Sequence, residues 1–207
     1  MNRSKLLLGG LVLLFLIGVA VALSQLGDAG NREVVNQYRS AVFGITYPLG
    51  LEIEEYPNGS LSIGAPATGG FDSAVDLTVV TPADGTTLED FDTYLRAQVQ
   101  GLCAADAPSE QVSCATIERE RTVRNAKGET AKEYQLTLTR TRAGQEPQTL
   151  SFGPIYAYVL PPIDEDAPNR YSALLVHAPV PDVLNGNPDL ELLGRINDSL
   201  TVGHSRR

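Results

Sequence analysis

Residues 117–140 carry the sequence IERERTVRNAKGETAKEYQLTLTR, in which Ile117–Val123 and Ala131–Arg140 flank the segment Asn125–Glu129. Both flanking runs are rich in strand-favouring residues, and the segment between them contains the Asn and Gly of a tight turn. Apolar and polar residues alternate along the second run, with Glu133 among the polar ones. This period of two predicts an antiparallel hairpin with one buried and one solvated face.

Further strands are predicted on both sides of this hairpin by runs of β-branched and aromatic residues. Asn58 and Gly59 indicate a two-residue turn with positive φ at both positions, and Ala65–Ser73 is interpreted as a loop. The predicted strands are Val42–Tyr47, Leu51–Tyr56, Leu61–Ile63, Ala74–Val80, Thr149–Leu160 and Tyr171–His177.

Two amphipathic helices complete the pattern. The first is predicted to begin at an N-cap Thr87, and the second at an N-cap Asn187 with Pro188 in the first turn. Their apolar stripes are Leu88, Phe91, Tyr94, Leu95 and Val99 in the first, and Leu190, Leu193, Ile196 and Leu200 in the second. The order of elements predicts an α+β fold, an antiparallel β-sheet with two main helices packed on it.

An N-terminal transmembrane helix is expected to precede this domain. Leu6–Leu23 is an 18-residue apolar run after the basic residues Arg3 and Lys5, and as a helix it spans about 27 Å, close to the hydrocarbon thickness of a bilayer. We interpret residues 1–5 as cytoplasmic and residues 6–25 as an anchor in the lipid bilayer, or alternatively as a signal peptide cleaved near Ala22 to leave a secreted or periplasmic protein. Both place the domain outside the cytoplasm.

The rest of the chain divides into a linker over residues 26–37, one domain over residues 38–203, and a tail over residues 204–207. The formal charge of the 207-residue chain is −9, with 16 basic and 25 acidic residues. Nucleic-acid binding is disfavoured, because duplex affinity comes mainly from Lys and Arg side chains that neutralise phosphates.

Cys103 and Cys114 are 11 positions apart in a segment interpreted as a loop. No His lies nearby to complete a zinc site, so we predict a disulfide bond, which an oxidising compartment allows. A redox-active pair is the alternative, and it would favour the closer C-x-x-C spacing.

Four groups of residues share motifs with a known family. They are Tyr38–Ser40 with Phe43–Pro48 and Gly50–Leu51, Asp72–Pro82 with Leu88–Phe91, Ala126–Arg140, and Ile196–Val202. Together they resemble the opening, the strand and helix entry, the central hairpin and the closing helix of PsbP-like domains. The resemblance covers most of residues 38–202 and implies a non-catalytic protein-interaction module, of the anchored or exported type found among bacterial members of the family.

The residues that could carry chemistry are few. The only histidines are His177 and His204, and no motif places a nucleophile beside either, so we expect neither an enzyme nor a cofactor. The alternative is a Ca²⁺ site built from the oxygen ligands of acidic loops. The spacing of these residues does not match an EF-hand, and acidic loops that are simply solvated show the same pattern. These metal candidates are Asp164, Glu165, Asp166, Asp182 and Asp189.

Three aromatic residues near the acidic loop, Tyr156, Tyr158 and Tyr171, are candidates for an interaction surface, with ordinary core packing as the competing interpretation. The leading hypothesis is a membrane-anchored, extracytoplasmic, non-catalytic domain that binds a protein partner or supports an envelope complex. The alternative hypothesis is an exported enzyme or a protein that binds a small ligand or Ca²⁺. An exposed apolar patch would favour the first, and a pocket of convergent ionisable groups the second.

Overall fold

The computed structural model describes residues 35–82, 88–105, 111–141, 145–162 and 171–203. In this part of the chain the fold is α+β with antiparallel sheets and three helices, which confirms the predicted class. The strands are β1 Val35–Arg39, β2 Phe43–Pro48, β3 Glu52–Glu55, β4 Leu61–Ala67, β5 Gly70–Val80, β6 Gln111–Arg124, β7 Thr130–Thr141, β8 Gln148–Leu160, β9 Ser172–His177 and β10 Thr201–Val202. The helices are α1 Leu88–Ala105, α2 Val180–Asn185 and α3 Leu190–Ser199.

The strands form two sheets. The larger sheet has seven antiparallel strands in the order β3-β4-β5-β9-β8-β7-β6, and the smaller has the order β1-β2-β10. The central strand β9 is buried along its whole length. Its side chains alternate between two hydrophobic clusters, with Leu174 and Val176 in one and Ala173 and Leu175 in the other.

Each cluster covers one face of the large sheet. The first contains side chains of α3 and β2, and the second contains side chains of α1 and α2. The predicted stripe of α1 is confirmed for Phe91, Leu95 and Val99, which are all buried, and the stripe continues one turn further to Cys103. Burial of each such side chain contributes about 1.5–3 kcal/mol, so packing on the sheet is what stabilises this helix.

The two predicted hairpin turns are present, but their conformation differs from the prediction. Gly59 has φ +82° whereas Asn58 does not have a positive φ, and the amide of Gly59 donates to the carbonyl of Tyr56. This is a type I turn followed by a left-handed glycine, a common three-residue hairpin loop. The turn at Asn125–Glu129 repeats it with Gly128 at φ +84°.

Two segments expected to be irregular belong to strands. The predicted loop Ala65–Ser73 is wrong, because β4 and β5 pair through most of it. The last pair is Ala67 with Gly70, and only Thr68 and Gly69 form the turn. Strand β1 begins at Val35, within the stretch expected to be a linker.

The C-terminal helices also differ from the prediction. Asp189 caps α3 by accepting a hydrogen bond from the amide of Leu192 at 2.9 Å, so the predicted cap at Asn187 is wrong. Leu193 and Ile196 are buried as predicted, but Leu190 is 48% exposed. Helix α2 was not predicted, because it is too short to show an amphipathic period.

None of the helices in these described ranges is both long and apolar enough to cross a bilayer. The expected anchor over residues 6–25 lies outside the described residues, as do the predicted N-cap Thr87 and the tail over residues 204–207.

Candidate functional site

Irregularities in three neighbouring strands lie side by side in the large sheet. The ladder between β6 and β7 shifts register around Ile117, and the ladder between β7 and β8 shifts between Tyr134 and Leu136. In β8 the same level holds Gly153 and Pro154, joined by a cis peptide bond. Bulges interrupt the strict alternation of side chains and so change the direction in which they point.

A cleft of about 600 Å³ lies at these irregularities, and we call it the bulge cleft. One wall of the cleft is formed by strands β6, β7 and β8. The opposite wall is formed by the segment that runs from α2 to the start of α3. The lining residues are Glu118, Arg119, Gln135, Ser151, Gly153, Pro154, Val183, Pro188 and Leu190.

The strand side of the bulge cleft is polar. The amide nitrogen of Gln135 donates to the Ser151 hydroxyl at 2.7 Å, and the hydroxyl of Thr137 donates to the carboxylate of Glu118. Glu118 and Arg119 are neighbours in sequence yet both line the cleft, because the bulge falls at this point. The cleft therefore offers one carboxylate and one guanidinium to a ligand.

The opposite wall is apolar, with Val183, Pro188 and Leu190. Leu190 is half-exposed because α3 begins at this position, so that its first side chain faces the cleft and not the sheet. An apolar wall beside charged and amide groups is typical of a surface that binds a peptide or a small amphiphilic ligand.

Next to the cleft, Glu133 is held by two arginines. Arg121 binds it through both oxygens, each at 2.8 Å, and Arg119 donates to Oε1 at 3.1 Å. The Glu133 side chain is only 5% exposed, whereas the two arginine side chains are 54% and 56% exposed. The prediction that Glu133 faces solvent is therefore wrong, and the paired guanidinium groups compensate for the desolvation of its carboxylate.

A second ion-pair network lies on the other face, under α1. Glu120 binds Arg96 at 2.9 Å and Lys132 at 3.1 Å, and Lys132 also contacts Asp92 at 2.7 Å. Burial raises the pKa of the Glu120 carboxyl, but the hydrogen bonds and charges of Arg96 and Lys132 outweigh burial and hold it below its ordinary value. This network connects α1 to β6 and β7 and has equal numbers of positive and negative groups.

The three predicted surface tyrosines have different environments. Tyr158 is fully buried and donates to Oδ1 of Asn197 at 2.5 Å, so its proposed surface role is wrong. Tyr156 and Tyr171 are half-buried. Burial, together with the negative charges of Glu133 and Asp198, raises the pKa of the Tyr156 hydroxyl. Neither residue lines the bulge cleft.

Two of the candidate metal ligands belong to different helices. Asp182 lies in α2, where burial and the negative charges of Asp72 and Asp76 raise the pKa of its carboxyl, and Asp189 is the N-cap of α3. Asp164, Glu165 and Asp166 lie outside the described residues. Within the described ranges, no three His, Cys, Asp or Glu side chains form a group that could hold a metal ion.

His177 has hydrogen-bond partners on both ring nitrogens. Nδ1 lies 2.9 Å from the carbonyl oxygen of Ala178, which can only accept, so Nδ1 carries the proton. Nε2 lies 3.0 Å from the Thr78 hydroxyl, and the ring makes an edge contact with Phe152. His177 is only 2% exposed, so it packs in the core, and it does not line the bulge cleft. His204 lies outside the described residues.

Cys103 is buried in the last turn of α1 and is disulfide-bonded. The expectation that both cysteines lie in a loop is wrong, because Cys103 is helical and Cys114 belongs to β6. The side chain of Cys114, the chain's only other cysteine, lies outside the described part.

Sequence reasoning missed every residue of the bulge cleft. A signal for it is the Gly153-Pro154 pair inside a predicted strand, since Pro interrupts a central ladder and Gly marks a bulge. No protein-family model matches the chain, and comparison with curated proteins finds no match either.

Proposed function

We propose that this chain is a membrane-anchored, extracytoplasmic, non-catalytic domain of the PsbP-like type that binds a segment of a protein partner in the bulge cleft. The observation that supports this proposal is the 48% exposure of Leu190 in a cleft that also contains Arg119 and Glu118. Binding surfaces in proteins commonly combine a small apolar centre with a charged rim.

The anchor and the family are proposed from the sequence. Leu6–Leu23 is long enough to cross a bilayer, and the two basic residues ahead of it favour a cytoplasmic N-terminus. An α+β fold with helices on an antiparallel sheet is the class that the PsbP-like motifs imply, which supports that assignment at the level of fold class. A disulfide between Cys103 and Cys114 agrees with an oxidising location.

The partner is tested by photocross-linking of the full-length chain in its native membranes. A photoreactive phenylalanine analogue replaces Leu190 in one variant and Val159 in the matched control, because these side chains are 48% and 47% exposed and only Leu190 lines the cleft. We expect a discrete protein adduct from position 190 and none from position 159. Equal adducts from both positions, or none from either, would contradict the proposal.

Binding of a small ligand is the second candidate, because the volume of the bulge cleft lies in the range of small-molecule sites. Glu118 and Arg119 would then bind opposite charges of one ligand against the apolar wall. Native mass spectrometry of the chain purified from membranes distinguishes the two functions. A bound small molecule that is lost in Arg119→Gln supports the ligand site, whereas a bound protein supports the first proposal.

A further inference from the structure

Strand β6 forms one edge of the large sheet. Its only ladder is with β7, so in the described part of the chain its outer edge has no strand partner. The segment Arg119–Arg124 pairs regularly with β7, without the register shifts seen around Ile117. A regular edge with unpaired backbone groups can accept an additional strand.

The two faces of this edge differ in charge. Arg119 and Arg121 share one face, because they lie opposite Gln135 and Glu133 of β7. Both arginine side chains are more than half exposed, and the only carboxylate that pairs with them among the described residues is Glu133. At positions 119 and 121 this face therefore exposes two guanidinium groups around one buried carboxylate, and the carboxylate of Glu118 lies at the bulge, where it accepts a hydrogen bond from Thr137.

The other face carries charges of both signs, with Glu120 and Arg124 of β6 on it. Glu120 lies there opposite Tyr134, in the network with Arg96, Lys132 and Asp92 under α1. On the first face an added strand would therefore meet two arginines, whereas on the second it would meet one glutamate and one arginine. Opposite charges directly across a strand pair are favourable and like charges are unfavourable, so acidic residues at alternate positions fit this edge.

A second copy of the chain fits it poorly. In a two-fold antiparallel pair, opposed residues lie on the same face. If the two-fold axis passes through Arg121, that residue faces Arg121 of the other copy. If the axis passes through Glu120, Glu120 faces its own copy and Arg119 faces Arg121, so like charges meet in both cases. An axis through Thr122 avoids like charges, but β6 ends at Arg124, so only the five residues Glu120–Arg124 of each copy would pair.

We propose that the edge of β6 binds an extended acidic segment of the partner protein, with Asp or Glu at alternate positions against Arg119 and Arg121. This inference rests on the proposed function, because it names the class of segment that the partner presents. Backbone hydrogen bonds would supply the affinity, and the two arginines would select the acidic side chains.

The test measures binding of labelled nine-residue peptides to the full-length chain in detergent by fluorescence anisotropy. The first peptide alternates glutamate with threonine, the second has lysine in place of glutamate, and the third is the first with N-methyl groups on alternate amides. We expect the lysine and N-methylated peptides to bind about tenfold more weakly or worse, because each loses charge pairing or backbone pairing.

Single substitutions on β6 test whether the glutamate peptide binds on the face that carries Arg119 and Arg121. Arg119→Gln and Arg121→Gln should each weaken binding of the glutamate peptide about 2- to 5-fold. The matched control is Arg124→Gln, on the same strand but on the opposite face, and it should leave binding within about 2-fold of the wild type.

Several results would overturn the inference. They are equal binding of the glutamate and lysine peptides, unchanged binding after N-methylation, an equal loss in Arg124→Gln, or a dimer that competes with the peptide. The peptide comparisons use the wild-type chain, so they hold even where an arginine variant fails to fold. If the peptides fail but position 190 still cross-links to a protein, the edge inference falls and the proposed function stands.

Discussion

Two buried tyrosines provide a matched test of the hydrogen bonding in this core. Tyr158 and Tyr134 are both fully buried. The Tyr158 hydroxyl donates to Oδ1 of Asn197 at 2.5 Å, whereas the Tyr134 hydroxyl has no hydrogen-bond partner among the described residues. Substitution of Phe removes one oxygen from each site and leaves the ring, so the two variants differ mainly in whether a hydrogen bond is lost.

The expected effects have different magnitudes. Tyr158→Phe leaves the buried Oδ1 of Asn197 without this donor, which costs about 1–3 kcal/mol of unfolding free energy. For a domain of this size, that corresponds to a fall in melting temperature of about 3–9 °C. Tyr134→Phe removes a buried polar atom that makes no hydrogen bond within the described part of the chain, so stability should stay the same or rise by up to about 1 kcal/mol.

Both variants are measured by urea unfolding at constant pH, with thermal melts as the second readout. The slope of free energy against urea should be the same for both variants, so that only the folded core differs. A loss in Tyr134→Phe as large as that in Tyr158→Phe would refute the expected difference. That result would mean that the Tyr134 hydroxyl is hydrogen-bonded in solution, for example to an internal water.

Three further predictions concern stability. Gly64→Ala should cost about 3 kcal/mol in chemical unfolding, because a Cβ at this strand position would collide with the backbone of β5. Replacement of both Cys103 and Cys114 by Ser should cost about 2–3 kcal/mol, from loss of the loop closure expected for a disulfide, while photocross-linking at position 190 is retained. Glu120→Gln should lower the melting temperature at pH 7 and Asp182→Asn should raise it, because the pKa of Glu120 is lowered and that of Asp182 is raised in the fold. Both differences should shrink as the pH falls to about 3, where the carboxyl groups become protonated.

Each of these predictions has a control. Gly70→Ala is the match for Gly64→Ala, since an added Cβ at Gly70 meets no atom of the residues that the structure describes within 4 Å, and an equal loss in both would contradict the steric argument. Addition of a reductant should lower the melting temperature of the wild type and not that of the Ser variant. If Glu120→Gln and Asp182→Asn shift stability in the same direction at pH 7, the electrostatic assignment is wrong.

The sequence by itself determined the elements whose signals are local. The period of α1 predicted the burial of Phe91, Leu95 and Val99, and the glycines predicted both hairpin turns. Each of these signals is carried by residues within a few positions of one another, so no knowledge of distant neighbours was needed. The α+β class followed from the order of these elements.

Only the tertiary structure decided which polar residues are buried and where the candidate site lies. Glu133 looks solvated in the alternating pattern, and it is buried because Arg119 and Arg121 reach it from the neighbouring strand. The bulge cleft needs register shifts in three strands together with a half-exposed Leu190 from a helix that follows them in the chain. Register and burial depend on pairing between distant residues, whereas the period of a sequence reports only its immediate neighbours.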